Sequence, residues 1–332
     1  MYFEINPLLT YNANFILVNG VRSIGKSYGT LKYMIKKCIE TKQEFVYLCR
    51  TQIEKKNGVL EKALDKVISN EFGKYEITFD KENGYINGEA FCYCFALTEM
   101  KALKRRSFQN VKYMFFDEYT LENNTGYING WHEPDLLLNI YHTIDRDADK
   151  VICFMMGNNT NFYNPYHMHN AFNIPRVAKG EIYHNGNVVF YNADISQELA
   201  EKKNSSKFSQ MIANSDYGSY ANAGEYSDQN ETDFISKLHN KNMYICTIRI
   251  DGQNFGMYHD RITNYIIISD KWQEHCSKRY AINIKDMTAD TVLLIKQDYV
   301  SKFIAKNMKF SSLKFVSMET KIKTYPTLYK LL

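Results

Sequence analysis

One short segment of the chain has the residue types and spacing that could bind a polyphosphate. Residues 20–27, GVRSIGKS, fit the pattern G-x-x-x-x-G-K-[ST] at every fixed position and follow an apolar run. Glycines at this spacing turn backbone N–H groups toward one point, and the positive end of a following helix also attracts an anion. The alternative is a chance glycine turn with an exposed lysine. We predict an ATP-binding site formed by Gly20, Arg22, Gly25, Lys26, Ser27 and Tyr28.

Two acidic residues at the end of another apolar run could complete this site. Asp117 and Glu118 close the segment YMFFDE. Ser27 and Asp117 would hold Mg²⁺, and Glu118 would polarise the attacking water. The alternative is a solvated acidic pair at a strand end. With a phosphate loop upstream, the pair predicts an ATPase, because a simple nucleotide kinase does not need a second carboxylate at this place.

Three other residues could act on the γ-phosphate. Asn158 ends the run VICFMMGN, where its amide could sense the phosphate or the water, although Gly-Asn-Asn is equally good turn chemistry. Arg146 precedes that run and could reach a neighbouring subunit as an arginine finger. It could instead form a weak salt bridge with its flanking aspartates. Lys104, in a basic cluster before the acidic run, has the same two interpretations.

These residues need a scaffold, and the first half of the chain predicts one. Apolar strand-like runs occur at residues 15–18, 44–49, 111–116 and 151–156, and helical patterns at 27–39, 59–68 and 134–144. Two Asn-Gly pairs near residue 85 predict a small antiparallel insertion built from 75–79 and 89–95. Strands that alternate with helices predict an α/β domain with a mostly parallel sheet and helices on both faces.

The pattern changes after residue 195. Residues 196–229 are rich in Ser, Asn, Lys, Gly and Tyr and lack a strong apolar stripe, so we predict a linker there. It would separate a domain at 1–195 from a smaller α+β domain at 230–332, in which strands are predicted at 243–250 and 265–268 and a helix at 291–307. From residue 227 onward, 16 lysines and arginines stand against 11 aspartates and glutamates. This balance suits a polyanion or an acidic protein surface, or simply a solvated helix face.

Composition excludes several classes of protein. The 332 residues are 45% hydrophobic and 23% charged, which is ordinary for a globular chain. No apolar run is long enough for a transmembrane helix, and the N-terminus has no secretory pattern, so we expect no membrane association. The 7 cysteines are scattered, and the close pair at 92 and 94 has the wrong spacing for zinc, so reduced thiols are expected.

Taken together, the motifs resemble those of the DNA-packaging motor ATPases, or encapsidation proteins, of small protein-primed tailed bacteriophages. The segments NFILVNGVRSIGKSY, EFVYLCR, QNVKYMFFDEY and LLLNIYHTIDRDADKVIC occur in this order, followed by NPY. The resemblance is strong over about residues 14–170 and faint beyond them. It implies a P-loop domain of the ASCE class (additional strand, conserved glutamate), a linker and a C-terminal RNase H-like domain.

The resemblance also implies an activity and its partners. Such proteins use ATP and Mg²⁺ to drive double-stranded DNA into a procapsid, as a homo-oligomeric ring that is commonly pentameric. The implied partners are the portal or connector and a structural RNA. The implied location is the host cytoplasm at the portal vertex, not the mature virion. Arg146 matches the family's trans-acting arginine, Lys104 falls near a basic residue of the same interface, and Arg50 matches an arginine that ends the second strand at the ATP site.

The C-terminal domain leaves alternatives open. Active RNase H-like nucleases hold two metal ions with converging carboxylates, for which Asp251, Asp260 and Asp270 are candidates. Asp251 lies in an Asp-Gly turn and Asp260 lies beside Arg261, so we predict an inactive nuclease fold that docks or binds nucleic acid. The rivals are a terminase-like enzyme with an active nuclease and a scaffold that binds nucleotide without hydrolysis. Glu118 argues against the scaffold.

Overall fold

A computed structural model describes residues 3–104, 106–121, 126–128, 132–160, 162, 164–212, 226, 235, 237–310 and 312–331. The chain forms two compact units, Met1–Asp228 and Gln229–Leu332. Within the described residues, no helix has the length and apolar character needed to cross a membrane.

The first unit is built on one nine-stranded sheet. In chain order its strands are β1 (Phe15–Gly20), β2 (Glu44–Cys49), β3 (Ile77–Phe79), β4 (Asn83–Ile86), β5 (Glu89–Ala96), β6 (Val111–Asp117), β7 (Ile152–Met156), β8 (Ile182–His184) and β9 (Val188–Ala193). Across the sheet the order is β3-β4-β5-β2-β6-β7-β1-β9-β8. The six strands from β5 to β9 in this order pair in parallel, and β3, β4 and β8 add antiparallel edges.

Helices cover both faces of this sheet, as predicted. They are α1 (Asn6–Leu9), α2 (Lys26–Thr41), α3 (Gln52–Lys56), α4 (Val59–Glu71), α5 (Met100–Leu103), α6 (Glu133–Asp145), α7 (Gln197–Asn204) and α8 (Lys207–Ile212). Alternate residues of β1 point to opposite sides, so Ile16 and Val18 join one core with α2 and α4, whereas Leu17 joins the other with α6. The fully buried strands explain why the sequence shows continuous apolar runs rather than alternation.

Strand register brings the polar strand ends to one edge of the sheet. β7 lies between β1 and β6, and its last residue, Met156, pairs with Val18 on one side and Asp117 on the other. The carboxyl ends of these three parallel strands are therefore level. The loop after β1, the acidic residues that end β6 and the amides after β7 must meet at this edge.

Two parts of the first unit differ from the sequence-based expectation. β5 is antiparallel to β4 but parallel to β2, so it belongs to the core sheet as well as to the insertion. β9, which was not predicted, pairs in parallel along the whole of β1. In the expected linker, residues 197–204 and 207–212 form α7 and α8, and Tyr226 packs edge-on against Phe162. The other residues from 213 to 234 lie outside the described part of the chain, and the linker role stays a prediction.

The second unit is a smaller α+β domain. Its strands are β10 (Asn242–Ile250), β11 (Gln253–Asp260), β12 (Ile266–Ser269), β13 (Arg279–Ala281), β14 (Val292–Leu293) and β15 (Leu313–Phe315), in the order β14-β13-β10-β11-β12-β15. Its α-helices in the described residues are α9 (Tyr299–Lys309) and α10 (Met318–Leu328). The predicted strands are confirmed as β10 and β12. The predicted helix starts later, at Tyr299, because Asp298 has an extended backbone and its carboxylate accepts a hydrogen bond from Ile295 N–H in the turn before it.

A buried histidine beneath the polar edge should make stability depend on pH. The His167 ring is 1% exposed, with Nδ1 2.9 Å from Phe162 O and Nε2 2.7 Å from Tyr119 Oη. The carbonyl can only accept, so Nδ1 carries the proton and Nε2 accepts from the tyrosine. Burial lowers the pKa of His167 from 6.5 to about 3.

We therefore expect a stabilising contribution that is complete above pH 6.5 and lost as the pH falls toward 3. Below pH 6.5 the unfolded chain binds a proton at His167 that the folded chain does not bind. The free energy of unfolding therefore falls by up to about 1.4 kcal/mol for each pH unit. Urea unfolding between pH 7 and pH 4 should show a steep decline for the wild type and a shallower one for His167→Gln. Equal slopes for the two proteins would contradict this prediction.

Candidate active site

The loop between β1 and α2 has the backbone of a phosphate cradle. Gly25 adopts a left-handed conformation, with φ of 89°, immediately before α2 begins at Lys26. At Gly20, a Cβ atom would lie 2.9 Å from Ala193 O on β9. Gly25 is therefore required by the turn, and Gly20 by the close approach of the neighbouring strand.

Lys26 places the positive charge of the site inside the loop. Its Nζ donates to Gly20 O at 3.0 Å and to Val21 O at 2.8 Å, and it lies 3.4 Å from Asn158 Oδ1. The side chain is only 6% exposed. A buried ammonium group held by carbonyls and an amide can exchange these partners for phosphate oxygens, which bind it more strongly.

Ser27 and Asp117 form a polar pair next to this lysine. Ser27 Oγ donates to Asp117 Oδ1 at 2.8 Å, and the same oxygen accepts from Glu118 N–H at 3.1 Å. Burial, together with the neighbouring Glu118 charge, raises the pKa of Asp117 to about 6, although the Ser27 hydrogen bond opposes the shift. A hydroxyl and a carboxylate fit Mg²⁺, which takes few protein oxygens and keeps room for water and phosphate.

Glu118 has an unusual backbone conformation and an exposed side chain. Its φ is 52°, in the left-handed region that costs a non-glycine residue free energy. The side chain is exposed, and its carboxylate makes no hydrogen bond or ion pair with any described residue. A carboxylate oriented in this way is available to accept a proton from water.

Arg50 holds the backbone of this acidic turn in place. Its guanidinium donates to Glu118 O at 3.1 and 3.2 Å and to Tyr119 O at 3.2 Å, and it pairs with Glu133 at 3.1 Å. Glu133 is 0% exposed and also accepts from Tyr166 Oη at 2.8 Å and from Ile128 N–H at 2.6 Å. The Arg50 guanidinium and the Glu133 carboxylate therefore both have hydrogen-bond partners within the protein, behind the acidic turn.

Asn158, two residues after β7, is hydrogen-bonded to the same acidic turn. Thr120 Oγ1 donates to Asn158 O and accepts from Asn158 N–H, both at 2.9 Å. A Cβ atom on Gly157 would lie 2.5 Å from Asn19 Oδ1 and 2.7 Å from Thr120 Oγ1. Sequence analysis did not single out Thr120 or Gly157. The glycine beside two asparagines was the available signal, and it was interpreted either as a turn or as the position of a phosphate-sensing amide.

Most of the predicted site residues line one cleft of about 420 Å³. These residues are Arg22, Gly25, Lys26, Ser27, Tyr28, Asp117, Glu118 and Asn158. Gly20 contributes its carbonyl to Lys26 from below, and Arg50 lies behind the acidic turn rather than on the cleft wall.

Arg146 and Lys104 are not among the residues that line this cleft. Arg146 caps the carboxyl end of α6 with φ of 55°, and its exposed side chain has no ion-pair partner among the described residues. The flanking aspartates are otherwise engaged, since Asp145 accepts from the backbone of 148–151 and Asp147 contacts His142. Lys104 is exposed just after α5. Their action on a neighbouring subunit stays a prediction.

The fold and this cleft define a P-loop NTPase of the class with an additional strand and an adjacent glutamate. The phosphate loop follows β1, the acidic pair ends β6, and β7 is the strand between them. The chain belongs to the podovirus DNA encapsidation protein (Gp16) family, whose model matches residues 1–331. The family resemblance and the fold class predicted from the sequence are confirmed.

Curated relatives and solved structures agree with this assignment. The chain is 25% identical to a DNA packaging protein of Bacillus phage B103 over 86% of this chain and 87% of the relative. It is 23% identical to that of Bacillus phage phi29 over 95% and 93%. A chain of the phi29 genome packaging motor assembly matches with a TM-score of 0.69 and 23% identity, over 100% of this chain and 99% of that chain. The N-terminal domain of the phi29 packaging ATPase matches with 0.53 and 25%, over 58% and 96%.

Neutralising Asp117 should stabilise the metal-free protein. Its folded-state pKa of about 6 lies above the ordinary 3.8, so ionisation costs the folded state free energy at any pH above 6. We expect Asp117→Asn to raise the unfolding free energy by about 1–3 kcal/mol at pH 8 in a chelator, with the gain vanishing below pH 4. Urea titrations check this against Asp65→Asn, an exposed control on α4. A destabilised or unchanged Asp117→Asn at pH 8 would show that the carboxylate is not strained.

Glu133→Gln, which removes the charge of this buried carboxylate, should destabilise the first unit. Arg50 would be left buried without its counter-ion, which typically costs about 3–5 kcal/mol. The matched control is Glu40→Gln, because Glu40 is 42% exposed where it meets Lys36 and Lys37 on α2 and should cost under about 1 kcal/mol. Thermal and urea unfolding of both variants test the difference. Equal effects would mean that the buried pair does not anchor the turn.

Proposed function

We propose that this chain hydrolyses ATP and uses the energy to package double-stranded DNA into a procapsid as a homo-oligomeric ring, with a pentamer as the expected size. The observation that carries the hydrolytic part is Glu118, which lies on the cleft beside Ser27 and Asp117 and whose carboxylate has no partner among the described residues. A scaffold that only bound nucleotide would have no use for such a group. Membership of the DNA encapsidation family supports the packaging part.

Each side chain has a definite task in this mechanism. Lys26 exchanges Gly20 O and Val21 O for phosphate oxygens, while the loop N–H groups hold the rest of the triphosphate. Ser27 and Asp117 would hold Mg²⁺, which when bound neutralises charge on the phosphates. Glu118 takes a proton from the attacking water, and its carbonyl is fixed by the guanidinium behind it.

Several features suggest that a second subunit completes the site. The cations that the described residues place on the cleft wall are Arg22 and Lys26, and both lie on the phosphate loop. Arg146 and Lys104 are exposed and do not line their own cleft, so they are available to a neighbour. An arginine that reaches across an interface stabilises charge on the transferred phosphate and makes hydrolysis depend on assembly.

The proposed partners follow from charge and from the family. Lysines and backbone N–H groups facing the DNA would bind its phosphates, so binding should be sensitive to salt and indifferent to sequence. The second unit would dock on the portal or connector, or on a structural RNA. The proposed place of action is the portal vertex of a procapsid in the host cytoplasm, with the protein absent from the mature virion.

The contacts of the second unit favour an inactive nuclease over a terminase-like enzyme. Asp260 is bonded to Ile262 N–H, the Thr263 hydroxyl and His239. Asp251 pairs with Lys285. No group of three or more possible metal ligands occurs within the described residues. Metal-dependent cleavage of plasmid DNA by the full chain would favour the terminase-like alternative.

Steady-state ATP hydrolysis with and without double-stranded DNA, over a range of protein concentrations, tests the proposal. The wild-type rate should rise with DNA and more than linearly with protein. Glu118→Gln should bind ATP but lose about 10²-fold or more in rate, because it cannot accept a proton. Glu61→Gln, an exposed control on α4, should behave as the wild type.

Mixing variants separates the two sides of the interface. Arg146→Ala should be inactive alone, and mixing it with Glu118→Gln should restore part of the activity. A pair of subunits then has one intact glutamate in the site and one intact arginine from the neighbour. A wild-type rate strictly proportional to protein and indifferent to DNA would overturn the ring translocase.

A further inference from the structure

Four charged side chains form a cluster outside the phosphate-binding cleft. Lys55 of α3 is 7% exposed, and its Nζ lies 3.0 Å from Glu82 Oε1 and 3.0 Å from Glu99 Oε2. Glu82 Oε2 in turn accepts a hydrogen bond from Arg106 Nη2 at 2.9 Å. These four residues, called the four-charge cluster below, are not among those that line the cleft. The proposed hydrolytic mechanism makes no use of them.

A buried lysine between carboxylates is a poor means of stabilising a fold. Removing an ammonium group from water offsets much of its attraction to its partners, so apolar residues would often serve as well. Burial opposes the charged form of Lys55, but hydrogen bonds from its ammonium to Glu82 and Glu99 outweigh burial and raise its pKa. The bonds are directional, so the lysine fixes α3 relative to the segments that carry the two carboxylates.

Glu99 connects the cluster to the start of the segment that carries Lys104. The Glu99 carboxylate also accepts from Ala96 N–H at the end of β5, at 2.9 Å, and Glu99 N–H donates to Ala96 O at 2.9 Å. Leu103 N–H donates to Glu99 O at 3.3 Å, and the Leu103 side chain is fully buried. The backbone immediately before Lys104 is therefore held against the core.

Arg106 holds the other end of this segment, two residues after Lys104. Its Nη1 donates to Asn83 Oδ1 at the start of β4, at 2.9 Å. The guanidinium also lies over the rings of Tyr93 and Phe95 on β5, 5.7 and 5.3 Å from their centroids. Between these two anchors the Lys104 side chain is exposed, and no ion pair joins it to a described residue.

The other side of the four-charge cluster reaches the acidic turn of the same subunit. The Glu54 carboxylate, one residue before Lys55, accepts from Arg50 N–H at 2.7 Å and from Thr51 N–H at 3.0 Å. The Arg50 guanidinium donates to Glu118 O. A continuous series of contacts through α3 therefore joins the turn at Glu118 to the segment that carries Lys104.

We propose that the four-charge cluster positions Lys104 for the cleft of a neighbouring subunit and holds it in register with the acidic turn of its own subunit. The inference rests on the proposed function, in which Lys104 acts across the interface. The members of the cluster are positioning residues, because they act only through Lys104. A lysine on a segment fixed at both ends is presented in a defined place, which lowers the entropy cost of bringing it to a phosphate.

The test uses variants of the full-length protein that disconnect the cluster without touching the cleft. Lys55→Met/Glu99→Gln removes one charge of each sign, so neither partner is left as an unpaired buried charge. Arg106→Met releases the other end of the segment. The matched control is Lys56→Met/Glu61→Gln, which makes the same changes at exposed positions of α3 and α4. ATP binding is measured by calorimetry, and hydrolysis is measured with double-stranded DNA.

Both cluster variants should bind ATP as the wild type does, while their DNA-stimulated rates fall about tenfold or more, as in Lys104→Ala. A displacement of about 1 Å can cost a catalytic group that much. Mixing either variant with Glu118→Gln should restore part of the activity, because that partner supplies a correctly placed Lys104 to an intact glutamate. Mixing with Lys104→Ala should restore none, since neither protein then has Lys104 in place. The control should behave as the wild type.

Several results would overturn the inference. Wild-type rates in both cluster variants would show that Lys104 does not depend on the cluster. Restoration by Lys104→Ala, loss of ATP binding in both variants, or failure of Glu118→Gln to restore activity would assign the cluster another role or a purely structural one. Wild-type activity of Lys104→Ala would remove the inference and leave hydrolysis standing. A wild type that does not hydrolyse ATP would instead refute the proposed function.

Discussion

The arrangement of the active edge depends on one buried ion pair. Arg50 directly follows β2 and Glu133 begins α6, and neither could remain charged in the interior without the other. This ion pair fixes the end of β2, the start of α6 and the acidic turn at Glu118 that lies between them. Because the guanidinium still has donors to spare, it also holds the carbonyl groups of Glu118 and Tyr119. Glu118 can therefore occupy a costly left-handed conformation.

The same edge concentrates polar groups that the interior satisfies poorly. Asp117 is ionised only at the expense of folded-state stability. Asn19, which is 0% exposed, has neither amide atom hydrogen-bonded to any described residue. Groups of this kind lower stability and are tolerated where a protein needs them for function. The remaining strand residues around them are apolar and closely packed, which confines the cost to the strand ends.

Local patterns explain why much of the site could be predicted from the sequence. A phosphate loop is a run of eight residues, the acidic pair lies at the end of the buried strand β6, and Asn158 lies two residues after the buried strand β7. Once a parallel sheet is expected, their convergence at one edge follows from topology. For the same reason the alternation of strands and helices was sufficient for the class of the first unit. β9 was not predicted because its apolar run is short and lies among polar turns.

Interactions between distant residues could not be predicted in this way. Arg50 meets Glu133 from 83 positions away, and nothing in the sequence marks that carboxylate as buried. The resemblance suggested a nucleotide contact for Arg50, whereas the structure gives it protein partners. The role of Thr120 likewise depends on its hydrogen bonds to Asn158, which lies 38 positions further along the chain.

These long-range contacts connect the phosphate loop with the acidic turn at Glu118. Lys26, the phosphate-binding lysine of the proposed mechanism, lies 3.4 Å from Asn158 Oδ1. Thr120, two residues after Glu118, is hydrogen-bonded to the Asn158 backbone. In the proposed mechanism, a phosphate that bound Lys26 would remove a partner of Asn158 on the loop and leave its link to the acidic turn intact. Gly157 permits this because any side chain there would collide with Asn19 and Thr120. The tight contact between β1, β7 and the end of β6 thus makes the phosphate loop and the position of Glu118 parts of one structural unit.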